Sequence, residues 1–184
     1  MVLKRLFRRS QLRDRACRLY GRAVEQARQP AFYRDHAVPD TLDGRFDMIA
    51  LHVALVLRRL SREGAEGEAL GQAVFDAMMD DMDRSLREMG VGDLGVGRRV
   101  KAMASAVYGR AAAYGAALAA DDGALADALR RNLYGTVDAA EKDVAAVATY
   151  VRGAAAALDA QAGRDLLAGE IRFGAPAQDE FRRE

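Results

Sequence analysis

The chain reads as an all-α protein, a single-domain bundle of about six or seven helices. Hydrophobic residues fill 51% of its 184 positions and charged residues 30%, with no Trp and three Pro, a balance that suits a packed helical core better than disorder or a disulfide framework. Apolar residues recur at three- and four-residue steps along most of the chain, the spacing that lines up one face of an α-helix. No stretch alternates long enough to demand a strand, and no repeat with a period of about 20 to 50 residues is evident.

The first long helix is expected from about Ser10 to Arg28, on the recurrence of Leu12, Ala16, Leu19, Ala23 and Ala27, and Pro30 ends it. Pro30 and Pro39 bracket a short helical turn through Phe32 and Tyr33 and then an irregular link. Asp40, Thr41 or Asp43 can cap the next helix, about Gly44 to Arg62. There Phe46, Ile49, Val53, Val56 and Leu60 share a face that Leu51, Leu55 and Leu57 widen, and a helix apolar most of the way round belongs at the centre of a bundle.

Polar residues from Ser61 to Gly67 form a turn. Leu70, Val74, Met78, Met82, Leu86 and Met89 then mark a helix that closes at Gly90, a residue free to take the left-handed C-terminal position. A small-residue-rich helix is expected from Val96 or Gly97 to Ala119. Asp122 caps a shorter one to Tyr134, Asp138 opens a long one to Gln161, and Arg164 to Ala168 adds a last turn. The organisation expected is a basic arm with the start of the first helix over residues 1–18, a helical domain over 19–168 and an irregular tail over 169–184, which contains Phe173 and Pro176.

Composition narrows the function classes. Cys17 is the single cysteine, so no intramolecular disulfide can form, and a reducing cytoplasm is the expected setting. The longest apolar run, Met48 to Leu57, has ten residues and includes His52, well short of the roughly 18 that a membrane span needs. The start, MVLKRLFRRSQLRDR, lacks the apolar stretch of a secretory signal. Net charge is +1, distributed in bands: +7 over residues 1–64, −6 over 65–97, +4 over 98–120 and −4 over 121–184. Such bands can orient a protein against charged partners. The bias toward Ala, Arg and Gly points to a bacterial chain.

Several short patterns have ordinary structural explanations. Gly90, Gly92 and Gly95 satisfy the G-x-G-x-x-G string of dinucleotide sites, but that motif works only after a strand, and here a helix precedes it. Asp76, Asp80, Asp81 and Asp83 resemble a magnesium-diphosphate cluster, yet Arg84 interrupts the string and no second acidic cluster faces it. The pairs Asp80–Arg84, Asp83–Arg87 and Arg84–Glu88 read as i,i+4 ion pairs worth about 0.2–0.5 kcal/mol each. Met78, Met82 and Met89 fit the core stripe, leaving Met79 as the methionine better placed for exposure. Ala102, Ala106, Gly109, Ala113 and Ala117 suggest a close helix-helix contact. His52 lies in an apolar run and reads as a satisfied core group, His36 falls in a loop, and neither they nor Cys17 form a catalytic or zinc-binding pattern. No cofactor is expected.

Four blocks carry a more specific signal: QARQPAFY from Gln26, VPDTLDGRFDMIALHVALVLRRL from Val38, DDMDRSLREMGVGD from Asp80 and VYGRAAAY from Val107. In this order and at these separations the chain resembles the ubiquinol-cytochrome c chaperone family. The resemblance implies a non-enzymatic assembly chaperone for ubiquinol-cytochrome c reductase. Such a protein binds newly made cytochrome b, or an early assembly intermediate, at the cytoplasmic face of the inner membrane, or at the matrix side in mitochondria.

The family's mitochondrial members act beside the ribosome and with a small partner protein; DNA is not an expected partner. Candidate client or partner contacts, taken from the matching blocks, are Phe32, Tyr33, Arg45, Phe46, Met79, Asp80, Asp83, Arg84, Arg87, Tyr108, Arg110 and Tyr114. Tyr108 and Tyr114 suit a groove rim, and Arg110 suits a buried or rim ion pair. Near the start, Lys4, Arg5, Phe7, Arg8 and Arg9 can meet anionic lipid or ribosomal RNA, or form a solvated terminus. The arm is also Arg-rich and acid-poor like a mitochondrial presequence, but the family-like region begins near Leu19 and leaves little to remove. The rival readings are a peripheral membrane or ribosome adaptor working through this arm and an all-α magnesium enzyme using Asp76 to Asp83.

Overall fold

The computed structural model describes the backbone of residues 2–174 and the side chains of residues 9–93 and 95–174. Within them the order is α1 (Val2–Ala27), α2 (Pro30–Asp35), α3 (Leu42–Leu60), α4 (Gly64–Glu88), α5 (Asp93–Ala119), α6 (Asp122–Asn132), α7 (Glu141–Asp159) and α8 (Gly163–Leu167). No strand occurs among the described residues. Six long helices match the periodic stretches, and the turns foreseen at Phe32 and after Arg164 form the short α2 and α8.

α3 is the axis of the bundle. Every residue from Met48 to Val56 is buried, and the helix touches α1, α4, α5, α7 and α8. Leu51, Leu55 and Leu60 are sealed from solvent, each burial stabilising by about 1.5–3 kcal/mol. Of the three candidate caps, Thr41 serves: its hydroxyl oxygen accepts from the Gly44 amide at 3.1 Å. Gly44 has a second role, because a Cβ there would overlap the Pro39 carbonyl where the chain doubles into the helix.

The boundaries of other helices differ from the periodic reading for local reasons. α1 runs unbroken through residue 18 from Val2, ahead of the expected start at Ser10. Asp121, one residue before the expected cap, accepts from the Ala124 amide at 2.8 Å and starts α6. α7 begins at Glu141, beyond Asp138, with no side-chain cap. α5 begins at Asp93, before Val96, since α4 closes sharply at Gly90 with φ +80°. There the Val91 amide donates to the Leu86 carbonyl at 3.0 Å and the Gly90 amide to Arg87 at 2.9 Å, the paired bonds of a Schellman turn.

At the centre of the core, His52 is fully buried and satisfied on both ring nitrogens. Nδ1 lies 2.8 Å from the Met48 carbonyl, which can only accept, so Nδ1 carries the proton and Nε2 accepts from the Tyr150 hydroxyl at 2.8 Å. Gln26 in turn donates to the Tyr150 oxygen at 2.9 Å. Burial pushes the imidazole down to about 4, keeping it neutral. Phe32, Tyr150 and Phe173 surround it with ring centroids 5.7, 5.7 and 5.3 Å away.

Phe173 belongs to the expected tail, whose described part completes the core. Ile171 is buried, and the Arg172 amide donates to the Gln161 side chain at 2.9 Å while Gln161 donates back to the Arg172 carbonyl at 2.9 Å. Regular helix stops at Leu167, and packing continues past it. Pro176 lies outside the described residues.

Candidate functional site

The Schellman turn at Gly90 swings the chain from α4 into α5, and the corner so made lies beside the first turns of α3. Between these three elements opens a groove of about 930 Å³. Its floor is apolar: Phe46 and Ile49 from α3, Met82 and Leu86 from α4, Val91 at the corner and Met103 from α5. Leu42 and Met89 stand at its mouth, 71% and 53% exposed, which is unusual for large apolar side chains on a helix otherwise directed inward.

Charges frame this floor. Arg110 pairs with Asp47 at 2.6 Å, both side chains mostly buried, and its guanidinium lies 5.7 Å from the Phe46 ring centroid. Burial raises the Asp47 carboxyl to about 6, Arg110 opposing the rise and Asp43 adding to it. Arg45 pairs with Asp40 at 2.6 Å and covers the Tyr33 ring at 5.6 Å. The Tyr33 hydroxyl donates to the Ala27 carbonyl at 2.7 Å, and burial raises it to about 12. Arg28 and Arg99 also line the groove, and among the described residues neither forms an ion pair. The arrangement can hold an elongated apolar group under cationic flanks. No group of three or more potential metal ligands occurs among the described residues.

The candidate contacts divide on this map. Arg45, Phe46 and Arg110 meet in the groove, with Tyr33 beneath Arg45. Phe32 and Tyr114 do not reach the surface: Phe32 is sealed against Tyr150 with centroids 4.8 Å apart, and Tyr114 is 1% exposed, so the expected rim position for Tyr114 is corrected. Tyr114 falls on the same inward stripe of α5 as Val107, which carries it behind Arg110 into the core. Its hydroxyl finds no hydrogen-bond partner among the described residues, and burial raises its pKa, with the Asp47 charge adding. Tyr108 is exposed and stacks on Phe75 at 4.5 Å, away from the groove.

The α4 residues have structural partners. Asp83 bonds Arg87 at 2.6 Å, as the i,i+4 reading expects, and Arg87 also pairs with Asp93 across the corner. Asp80 instead reaches Arg13 on α1 at 3.4 Å, and Arg84 approaches Asp81 at 3.9 Å, so the other two expected pairs do not form. Asp81 accepts from the Tyr20 hydroxyl at 2.7 Å, and Asp76 accepts from Gln72 at 2.8 Å. Met79 is half-buried in a second, more polar hollow of about 580 Å³ between α1 and α4, together with Asp80, Arg84 and Arg9. Arg9 is exposed, whereas the side chains of Lys4, Arg5, Phe7 and Arg8 lie outside the described residues.

Leu42, Asp47, Met89, Arg28 and Arg99 complete the groove and were not among the candidates. Met89 continues the stripe of Met82 and Leu86, so periodicity assigns it to the core; the turn at Gly90 ends the helix before a neighbour covers it. Leu42 follows the cap and extends the Phe46 and Ile49 stripe by one turn, a signal present in the sequence but silent about exposure. The expected small-residue contact on α5 forms at Ala117, which is buried, whereas Ala102 is exposed and lines the groove with Ala106. A Cβ on Gly109 would meet nothing within 4 Å, so that stretch faces open space.

Comparisons with known proteins cover most of the chain. The family described as Ubiquinol-cytochrome C chaperone matches residues 34–173. The ubiquinol-cytochrome-c reductase complex assembly factor 1 of Xenopus laevis is 29% identical over 157 residues, covering 85% of this chain and 78% of that protein. The Homo sapiens counterpart is also 29% identical over 157 residues, covering 85% of this chain but 52% of its own length. In shape, the crystal structure of the Cbp3 homolog from Brucella abortus superposes with a TM-score of 0.81 at 39% identity, covering 95% of this chain and 97% of that one.

Proposed function

Since the chain belongs to the ubiquinol-cytochrome c chaperone family, a family of assembly factors for ubiquinol-cytochrome c reductase, we propose that it binds newly made cytochrome b, or an early intermediate containing it, in the groove between α3, α4 and α5. The observation that carries this reading is the exposure of Leu42 and Met89 over a methionine-rich floor inside the family-matched region. Membrane subunits expose apolar helices before their partners and cofactors arrive, and a chaperone delays aggregation by covering them transiently. Methionine thioethers suit such a task because they repack around different shapes. The protein acts here as a peripheral component at the membrane surface; no helix among the described residues is long and apolar enough to cross a bilayer itself.

A photo-reactive amino acid placed at Leu42 or Met89 in the native host tests this. Illumination followed by mass spectrometry is expected to recover cytochrome b above other membrane proteins. Recovery of ribosomal proteins or lipid alone would move the function to the basic start of α1, and deleting residues 1–9 should then abolish activity while the fold persists.

A further inference from the structure

We infer that the segment seated in this groove is an amphipathic helix bearing carboxylates along its flank, and that Arg28 and Arg99 select it. The inference rests on the client-binding reading above and adds the chemistry of the client. At about 930 Å³ the trough accepts several side chains at once, and its Met82, Met89 and Met103 thioethers provide an adaptable apolar bed. An α-helix presents such a row at i, i+3, i+4 and i+7, the helix-in-groove mode of peptide recognition.

Its charge is the selective element. Four guanidiniums and two carboxylates line the groove. The carboxylates are Asp43 and Asp47. Asp47 engages Arg110, and Arg45 is taken by Asp40 from outside the lining. Arg28 and Arg99 have no ion-pair partner among the described residues, so four positive charges still outnumber the three negative ones. Both are exposed, Arg28 just past α1 and Arg99 on α5, so the mouth retains positive charge on separate walls. A basic segment would be repelled there, and an acidic one would gain charge-assisted bonds and faster encounter. Anionic lipid would also meet the arginines, but membrane-surface contact is made by a continuous protruding apolar face, and here Ile49, Met82 and Leu86 are recessed behind the exposed Leu42 and Met89.

The test uses the full chain and two fluorescently labelled synthetic helices of equal length with the same leucine and alanine face, one carrying Glu and the other Lys at its polar positions. Anisotropy titration is expected to show the Glu helix binding about ten-fold more tightly, equivalent to about 1.4 kcal/mol. The preference should reverse in the double variant Arg28→Glu, Arg99→Glu and vanish in Arg28→Ser, Arg99→Ser. Both positions are exposed, so melting temperatures should hold; either double variant suffices if the other fails to fold. Equal affinity for the two helices, or an unchanged preference in the folded variants, would overturn the inference. So would arginine-dependent sedimentation with phosphatidylglycerol vesicles when neither helix binds. Cytochrome b cross-linked at Met89 without any acidic preference sinks this inference alone. Acidic-helix binding without recovery of cytochrome b sinks the functional proposal alone.

Discussion

His52 and Asp47 stand five residues apart on α3, and burial acts on both in the same sense, favouring the neutral form. Their surroundings then diverge. His52 is enclosed by Phe32, Tyr150 and Phe173 and has its hydrogen bonds filled from within, so it serves as part of the scaffold. Asp47 lines an open groove, where its partner Arg110 is shared with the edge of a surface that a second molecule can reach. One helix thus builds a closed polar site toward its middle and an open one toward its start. A satisfied buried group anchors the fold, while a polar pair at an apolar opening is in a position to serve recognition.

The largest expected effect comes from breaking the closed side. Phe32→Ala removes a sealed aromatic from contact with His52 and Tyr150 and should cost about 3–5 kcal/mol, measured by urea denaturation. A loss below about 1 kcal/mol would mean that this region is less closely packed than the contacts imply. Tyr150→Phe should cost less, about 1–3 kcal/mol, by leaving the His52 acceptor without its donor while volume is nearly kept.

Acid titration separates the two sites by sign. The folded state binds fewer protons at His52 than the unfolded state between about 4 and 6.5, so its contribution is fully present above 6.5 and is lost as pH falls through about 4. The melting-temperature difference between the wild type and His52→Gln should therefore shift in the wild type's favour as pH rises across that window. For Asp47 the folded state binds more protons between 3.8 and about 6, so its contribution is present below 3.8 and is lost as pH rises through about 6. The difference between the wild type and Asp47→Asn should shift against the wild type across that range. Slopes of the same sign would erase the distinction. The smallest stability effect belongs to Met89→Asp, within about 0.5 kcal/mol because the residue is half in solvent; cross-linking of cytochrome b through Leu42 should nevertheless fall sharply.

Much of this architecture was legible along the chain. The apolar circumference of α3 predicts its central place, the run around His52 predicts a satisfied core histidine, and Gly90 predicts the end of α4. Local composition suffices in these cases because the determinants, side-chain period and backbone freedom, lie within a turn or two of each other. The four ordered blocks likewise carried the family resemblance, and Arg45, Phe46 and Arg110 lie among them. Whether a side chain on an apolar stripe is covered depends instead on what arrives from elsewhere in the chain. Met89 shares its stripe with buried Met82, and Tyr114 shares a block with exposed Tyr108, yet each has the other fate because of how α3, α4 and α5 meet. Arg28 and Arg99 come from helices far apart in sequence, and nothing local places them on one groove. The sequence by itself determined the helices, their inward faces and the family; the tertiary structure alone decided which apolar positions remain open and which charges surround them, because exposure is a property of the assembled surfaces rather than of any segment's period.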